Sequence, residues 1–376
     1  MCKKTFIITL IIFFTTLNCA NAQLQKWQQG ICTDEFIFDK APFPESHAST
    51  IAETPKGLVA AWFGGTKERN PDVEIWVSRK VNNKWTVPVS VANGIQNDTL
   101  RYPTWNPVLY QVPNGDLLLF YKIGPKPSDW KGWMKTSKDN GITWSDAKAL
   151  PDRFIGPVKN KPVLIGKNKL LSPSSTENDG GKIHFEISND FGKTWRMVGP
   201  INDGKEYNVI QPTILQYKNK LQILARSKSK AMIESWSYDN GETWTPLAKS
   251  SLPNNSSGFD AVTLKDGRQL IVYNHVLPPG TESKGARTPL NVAVSNDGKT
   301  WYAALILEDS PISQYSYPSV IQSKDGMVHI VYTWRRQKIK YVKIDPSKLK
   351  LIKIVNGVWP KMEGYVAPVS GDIPKE

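Results

Sequence analysis

"SKDNGITW" (residues 137–144), "SNDFGKTW" (188–195) and "SYDNGETW" (237–244) all fit Ser-x-Asp-x-Gly-x-Thr-Trp, and "SNDGKTW" (295–301) is the same pattern one residue shorter. A worn copy, "SRKVNNKW", runs from 78 to 85. The starts at 78, 137, 188, 237 and 295 lie 59, 51, 49 and 58 residues apart, a spacing that suits one four-stranded unit per repeat. Each copy has a local logic. Asp, Asn and Gly form a tight turn whose side-chain oxygens accept backbone N–H bonds, and the Thr-Trp end opens a strand.

Working outward, alternating or wholly apolar runs such as "GLVAAWF", "GDLLLFYK", "KLQILARS", "RQLIVYN" and "MVHIVYTW" fill the space between the turns, and amphipathic helical periodicity is nearly absent. The chain therefore reads as all-β. Stacked four-stranded sheets at this period make a β-propeller, and five motif copies plus a last unit over 315–344 predict six blades. The segment near Phe36 to Phe38 is expected to complete the last sheet. A seventh blade requires that residues 95–135 hold more than one sheet's strands. No Pro-, Gly- or Ser-rich linker divides the chain, which reads as one propeller domain over 23–376.

Residues 1–22 read as a cleavable export signal: Lys3 and Lys4 precede an apolar run, and "CANA" ends in an Ala20-x-Ala22 pattern. The alternative is a lipoprotein anchor at Cys19. Either way the destination is secreted or periplasmic. Removal of the segment leaves Cys32 without a partner for an intramolecular disulfide, so stability must come from a packed core. No later apolar run approaches the roughly 20 residues that span a bilayer. The formal charge falls from +14 to +12 once Lys3 and Lys4 are gone, which favours acidic partners. Basic residues are scattered and no nucleic-acid signature appears, so export points to an acidic oligo- or polysaccharide rather than nucleic acid. Excess lysine that merely keeps a protein soluble is the bland alternative.

The repeated turn resembles the Asp-box of the sialidase superfamily of BNR-repeat propellers, over nearly the whole chain after residue 22. The resemblance makes the box residues structural and implies a pocket built elsewhere: three arginines on a substrate carboxylate, a tyrosine nucleophile beside a glutamate, and an aspartate acid/base. "LQILARS" is similar to the segment of the second arginine and points to Arg226, "YNHVLPPGTESKGARTPLNVAVS" to Arg287 as the third, and "SQYSYPSVIQSKDG" to Tyr315 as the nucleophile. The other positions depart from the pattern. His47, in "FPESHASTIAE", stands where the first arginine is expected, Asp72 falls near the aspartate, and Gln211 stands where the glutamate is expected.

These exchanges have chemical consequences. Two arginines still hold a carboxylate, but glutamine cannot take a phenol proton, and tyrosine at its ordinary pKa of about 10 is a poor nucleophile without a base or a cationic field. The reading is an exo-acting, sialidase-like glycoside hydrolase for an acidic sugar. The alternatives are β-elimination at a uronic acid, with His or Tyr as base and acid, and a lectin that keeps the clamp without catalysis. Of the 14 tryptophans, Trp105, Trp130 and Trp133 are candidates for a pocket rim. His184, His275 and His329 read as strand residues, and neither a metal nor a cofactor is expected.

Overall fold

Six antiparallel sheets of short strands follow one another in a computed structural model that describes residues 26–178, 180–312 and 314–367; the expected export segment lies outside them. Blade one holds Glu45–Thr54, Gly57–Gly65 and Glu74–Val81, with Lys84–Trp85 and Val89–Ala92 outside. Blade two holds Thr104–Gln111, Leu117–Ile123, Lys131–Ser137 and Lys148–Ala149; blade three holds Val163–Ile165, Lys169–Thr176, Lys182–Ser188 and Arg196–Val198. Blade four holds Val209–Gln216, Leu221–Ser227, Ala231–Ser237 and Ala248–Pro253. Blade five holds Asp260–Thr263, Gln269–Tyr273, Leu290–Ser295 and Trp301–Glu308, extended by Ile352–Lys353. Blade six holds Tyr315–Gln322, Val328–Trp334 and Lys338–Ile344.

The last sheet takes its fourth strand from the other end of the chain. Ile31–Phe36 pairs with Lys338–Ile344, and the Ile37 N–H continues the ladder to the Ile339 carbonyl at 2.9 Å. The closing strand therefore begins at Ile31, upstream of the expected Phe36. Hydrogen bonds across that seam turn a row of blades into a ring, which leaves no exposed edge between first and last.

Every blade is buried on two faces, so the middle strands carry apolar residues without alternation; all of Leu117–Ile123 is buried. Ala61, Ile75 and Val77 of blade one pack with Leu119 and Tyr121 of blade two, and Val272 and Val292 of blade five pack with Val320, Ile330 and Val342 of blade six.

The box turns behave as their composition predicts. Asp139 Oδ1 accepts from the Thr143 N–H at 2.9 Å and from Ser137 Oγ at 2.8 Å, Asp239 repeats the pattern with Thr243 and Ser237, and the Gly141 and Gly241 N–H groups donate to the serine oxygens. The threonine hydrogen bonds hold both carboxyls down at about 2. Gly141 and Gly241 have φ of +84° and +86°, a region that a side chain would strain.

Blade one differs. Its worn copy is no Asp-box but a two-residue hairpin, with Asn82 and Asn83 both at positive φ between Glu74–Val81 and Lys84–Trp85. Ser78 donates to the Thr86 carbonyl at 2.7 Å, as Ser235 does to Thr245, so it matches the serine two positions ahead of a true box serine. Blade six has no box for a topological reason: the box joins third strand to fourth, and here the fourth strand comes from the chain's beginning.

Trp301, the last box tryptophan, is 1 % exposed, whereas Ile142 at a box tip is 58 % exposed. Trp301→Ala is expected to lower the unfolding free energy by about 3–5 kcal/mol in urea titrations, and Ile142→Ala to change it by less than about 0.5 kcal/mol.

Candidate active site

Four inner strands share one irregularity at the end of the ring opposite the boxes. Register breaks fall between His47 and Thr50, Trp105 and Val108, Ile210 and Thr213, and Ser316 and Ser319. In each break one residue has positive φ: Ala48 at 54°, Asn106 at 34°, Gln211 at 55° and Tyr317 at 52°. Three of the four precede proline, in "WNPV", "IQPT" and "SYPS". Proline is tolerated because these strands line the axis and have a partner on one side only. Such bulges bend the strand and re-aim side chains, and here they deliver His47, Asn106, Gln211 and Tyr317 to the axis.

These residues floor a cavity of about 290 Å³, whose wall comes from the loops that end the second strands. Six cationic side chains, Arg69, Arg226, Lys228, Lys284, Arg287 and Arg336, face it against two carboxylates, Glu68 and Glu177. Arg226 Nη1 donates to the Tyr317 hydroxyl at 2.6 Å and to Gln211 Oε1 at 3.3 Å, and Gln211 Nε2 lies 3.4 Å from the same hydroxyl. The guanidinium carbons of Arg226 and Arg287 stand 5.8 and 5.7 Å from the Tyr317 ring centre. Arg287 Nη1 is held by Gln314 Oε1 at 2.7 Å, and Arg336 is paired with Glu68.

His47 is buried in the floor, its ring 4.2 Å from that of Tyr317 and its Nδ1 2.9 Å from Thr333 Oγ1. Burial, and then the positive charges of Arg336, Arg287, Arg226 and Lys159, hold it well below the ordinary value of 6.5, so it is a neutral imidazole. The Glu177 carboxyl is pushed up, first by desolvation and also by Glu68, with Arg226 opposing.

The structure thus brings His47, Gln211, Arg226 and Arg287 together and leaves two expected residues outside. Tyr315 does not line the cavity. It is 1 % exposed, packs between blades five and six, and its hydroxyl accepts from Arg335 Nε at 3.2 Å. The bulge explains the exchange: regular alternation would give positions 315 and 317 one face, and the break from Ser316 to Ser319, with Tyr317 at positive φ inside it, sends Tyr317 to the axis instead. Asp72 is exposed and accepts from the N–H and hydroxyl of Thr66, closing a loop that presents Glu68 and Arg69 to the cavity. Trp105 and Trp130 line the site, 5.5 Å apart, but Trp133 belongs to another cavity with Tyr121 and Lys135.

Arg336, Tyr317 and Glu177 are the additions that sequence reasoning missed. Arg336 sits in the hairpin between Val328–Trp334 and Lys338–Ile344, where it and Arg335 have φ of 58° and 51°. Arg336 therefore reaches the pocket from blade six and Arg69 from the blade-one loop, so four arginines line it although blade one has a histidine where the first arginine was expected. The signal for Tyr317 was internal: aligning the three residue-Pro pairs of the inner strands equates Asn106, Gln211 and Tyr317. Among the described residues no three His, Cys, Asp or Glu side chains gather in a metal-binding arrangement.

A propeller with a strongly cationic axial pocket is the class that this geometry defines. Residues 56–330 match the BNR repeat-like domain, and the chain belongs to that family within the sialidase superfamily of propellers. It is 29 % identical over 169 residues to a sialidase of Paraclostridium sordellii, covering 38 % of this chain and 41 % of that one. A Trypanosoma cruzi sialidase is 23 % identical over 223 residues, covering 55 % of this chain and 18 % of that one. The matches thus span less than half the length of either relative. Among solved structures, a Dyadobacter fermentans protein of unknown function superposes with a TM-score of 0.68 at 15 % identity, covering 84 % of this chain and 99 % of that one. The Hadza microbial sialidase Hz136 gives 0.68 at 16 % identity, covering 85 % and 69 %. The NanB sialidase of Streptococcus pneumoniae gives 0.64 at 13 %, covering 84 % and 71 %. These likenesses establish the fold.

His275 and His329 are held down at about 4, chiefly by burial, and His47 lies well below 6.5. The unfolded chain takes up protons on these imidazoles below about 6.5 while the folded chain refuses them, so their contribution to stability is intact above that value and declines as the pH falls towards the folded values. NMR titration is expected to show the His47 midpoint displaced well below its ordinary value of 6.5; a midpoint at its ordinary value would contradict the burial argument.

Proposed function

We propose that this protein is a glycosidase that cleaves a glycosidic bond at a carboxylated sugar, acting from a chain end. The observation that carries the reading is the convergence of Arg226, Arg287 and Arg336, from three different blades, on the cavity floored by Tyr317. Planar guanidinium groups match a carboxylate in charge-assisted, partly bidentate bonds, and a site closed by strand ends holds them in place before substrate arrives. Trp130, half-buried at the rim, offers an apolar face to a sugar ring.

The acid and base follow from the protonation states. Glu177, with its raised carboxyl, gives a proton to the leaving oxygen. His47 is neutral and rests against Tyr317, so it takes the proton of the incoming nucleophile. Gln211 cannot do so: its oxygen accepts from Arg226 and its amide nitrogen is the atom turned towards the phenol. Arg226 stabilises the negative charge left on the Tyr317 oxygen as His47 takes its proton. That charge is consumed as the oxygen bonds to the anomeric carbon and the leaving oxygen departs with the Glu177 proton, and water then releases the sugar from the tyrosine.

That same amide favours a second reading. With no carboxylate beside the phenol, the arginines that neutralise a uronate would allow His47 to remove the proton next to its carboxylate, with Tyr317 protonating the leaving oxygen in an elimination. Incubation with sialylated, glucuronate-capped and uronate-backbone glycans separates the outcomes. Reducing ends without an ultraviolet-absorbing unsaturated product mean hydrolysis, absorbance means elimination, and retention of ligand with neither means a lectin.

The residue roles are tested in the same assay. Arg336→Ala and Arg226→Ala are each expected to lower kcat/KM on the order of 10²-fold, and Tyr317→Phe to lower it further, while Tyr315→Phe leaves it near the parent value. Undiminished turnover in Arg336→Ala would remove the clamp. Export belongs to the same proposal, and a mature amino terminus at Gln23 in the secreted protein is its check.

A further inference from the structure

Beside the axial cavity lies a second one of about 620 Å³, lined by Glu45, Lys67, Glu68, Arg69, Lys284, Gln314 and Arg336. Glu68, Arg69, Lys284 and Arg336 line both cavities and form the wall between them. The two carboxylates of the second cavity are engaged: Glu68 pairs with Arg336, and Glu45 Oε2 accepts the Glu68 N–H at 3.4 Å. Lys67, Arg69 and Lys284, all exposed, have no carboxylate within ion-pair distance among the described residues.

Exposed cations by themselves say little, but Gln314 adds an independent observation. It is 8 % exposed, and its Oε1 accepts both Arg287 Nη1 at 2.7 Å and Ser316 Oγ at 2.9 Å. The Arg287 donor fixes the amide orientation, since a guanidinium cannot accept from the amide nitrogen. The amide N–H₂ is left at the cavity wall, open to the cavity and with no hydrogen-bond partner among the described residues. It is therefore a donor held in place by its own oxygen's two bonds and available to a ligand acceptor.

We propose that this second cavity is a subsite for an anionic group, a carboxylate or sulfate ester, on the sugar next to the one whose carboxylate the three arginines hold. The proposal rests on the acidic-sugar reading above and narrows it: the substrate carries acidic groups on consecutive units. The Gln314 amide and Lys67 receive the second anion, and the shared wall of Arg69, Lys284 and Arg336 neutralises both. Because Gln314 also holds Arg287, occupation of the second cavity is linked to the position of a clamp residue in the first.

Calorimetric titration of the full chain with matched probes tests this. The mono-acid probes are sialyllactose and a glucuronate-capped neutral disaccharide. The di-acid probes are an α2,8-linked sialic acid dimer and a diglucuronate, and a fifth probe has the glucuronate cap followed by a sulfated sugar. At low salt the di-acid or sulfated partner of at least one pair is expected to bind about tenfold more tightly than its mono-acid, and added salt to shrink that advantage. Whether the dimer or the sulfated probe gains more identifies the second anion. Lys67 lines only the second cavity, so Lys67→Glu is expected to remove most of the advantage and leave mono-acid binding unchanged. Mono-acid binding with no di-acid or sulfate advantage, or an advantage that survives Lys67→Glu, overturns the subsite alone. Failure of every probe to bind overturns the acidic-sugar reading, and this one with it.

Discussion

Lys159 occupies the axis of the ring, and its hydrogen bonds set the floor on which the site is built. Its Nζ donates to the Phe259 carbonyl at 2.9 Å, the Pro318 carbonyl at 2.6 Å and Asn160 Oδ1 at 3.0 Å, so one side chain from the approach to blade three joins blades five and six. Burial pulls its ammonium down to about 7, with Asp260 opposing, and three oxygens stand ready for its three protons. The Pro318 carbonyl belongs to the bulge that carries Tyr317, and Gly258 lets both groups approach, because a Cβ there would meet Lys159 Cε and the Tyr317 ring at 3.2 Å. Bulges break ladder pairing and leave carbonyls without strand partners. The axial polar groups take them up.

The neighbouring residues extend that arrangement. Asn160 Nδ2 donates to the Gln211 and Pro212 carbonyls at 3.1 Å each, and Asn106 Nδ2 to the Val158 carbonyl at 3.2 Å. Lys161 Nζ reaches Asp260 Oδ2 at 2.8 Å, while the Val320 N–H donates to that same carboxylate at 2.9 Å. The segment 155–161 is thus a plug rather than a regular inner strand, and buried Glu186 anchors it through the N–H groups of Ile155 and Gly156. Burial in this floor is the first cause that keeps His47 neutral, and Lys159 adds its charge to those of Arg336, Arg287 and Arg226.

Much of the fold was legible because the signals are local. A box turn is held by hydrogen bonds among residues within four positions of one another, such as Ser137, Asp139, Gly141 and Thr143, so its composition alone specifies it. Apolar second strands betray burial on two faces without reference to neighbours. Blade one shows the limit of such pattern matching: "SRKVNNKW" has the spacing of a box, but its Asn-Asn pair makes a different turn.

By itself, then, the sequence determined an all-β ring of six units and placed His47, Gln211, Arg226 and Arg287 within reach of one site. The tertiary structure decided which tyrosine enters, which carboxylates face the cavity, and that Arg336 arrives from a hairpin in blade six. Those outcomes depend on bulges and blade-to-blade contacts between residues such as Lys159 and Pro318, far apart in the chain. Repetition fixes what each blade looks like, whereas side-chain direction at the axis is set only when all six blades close around it.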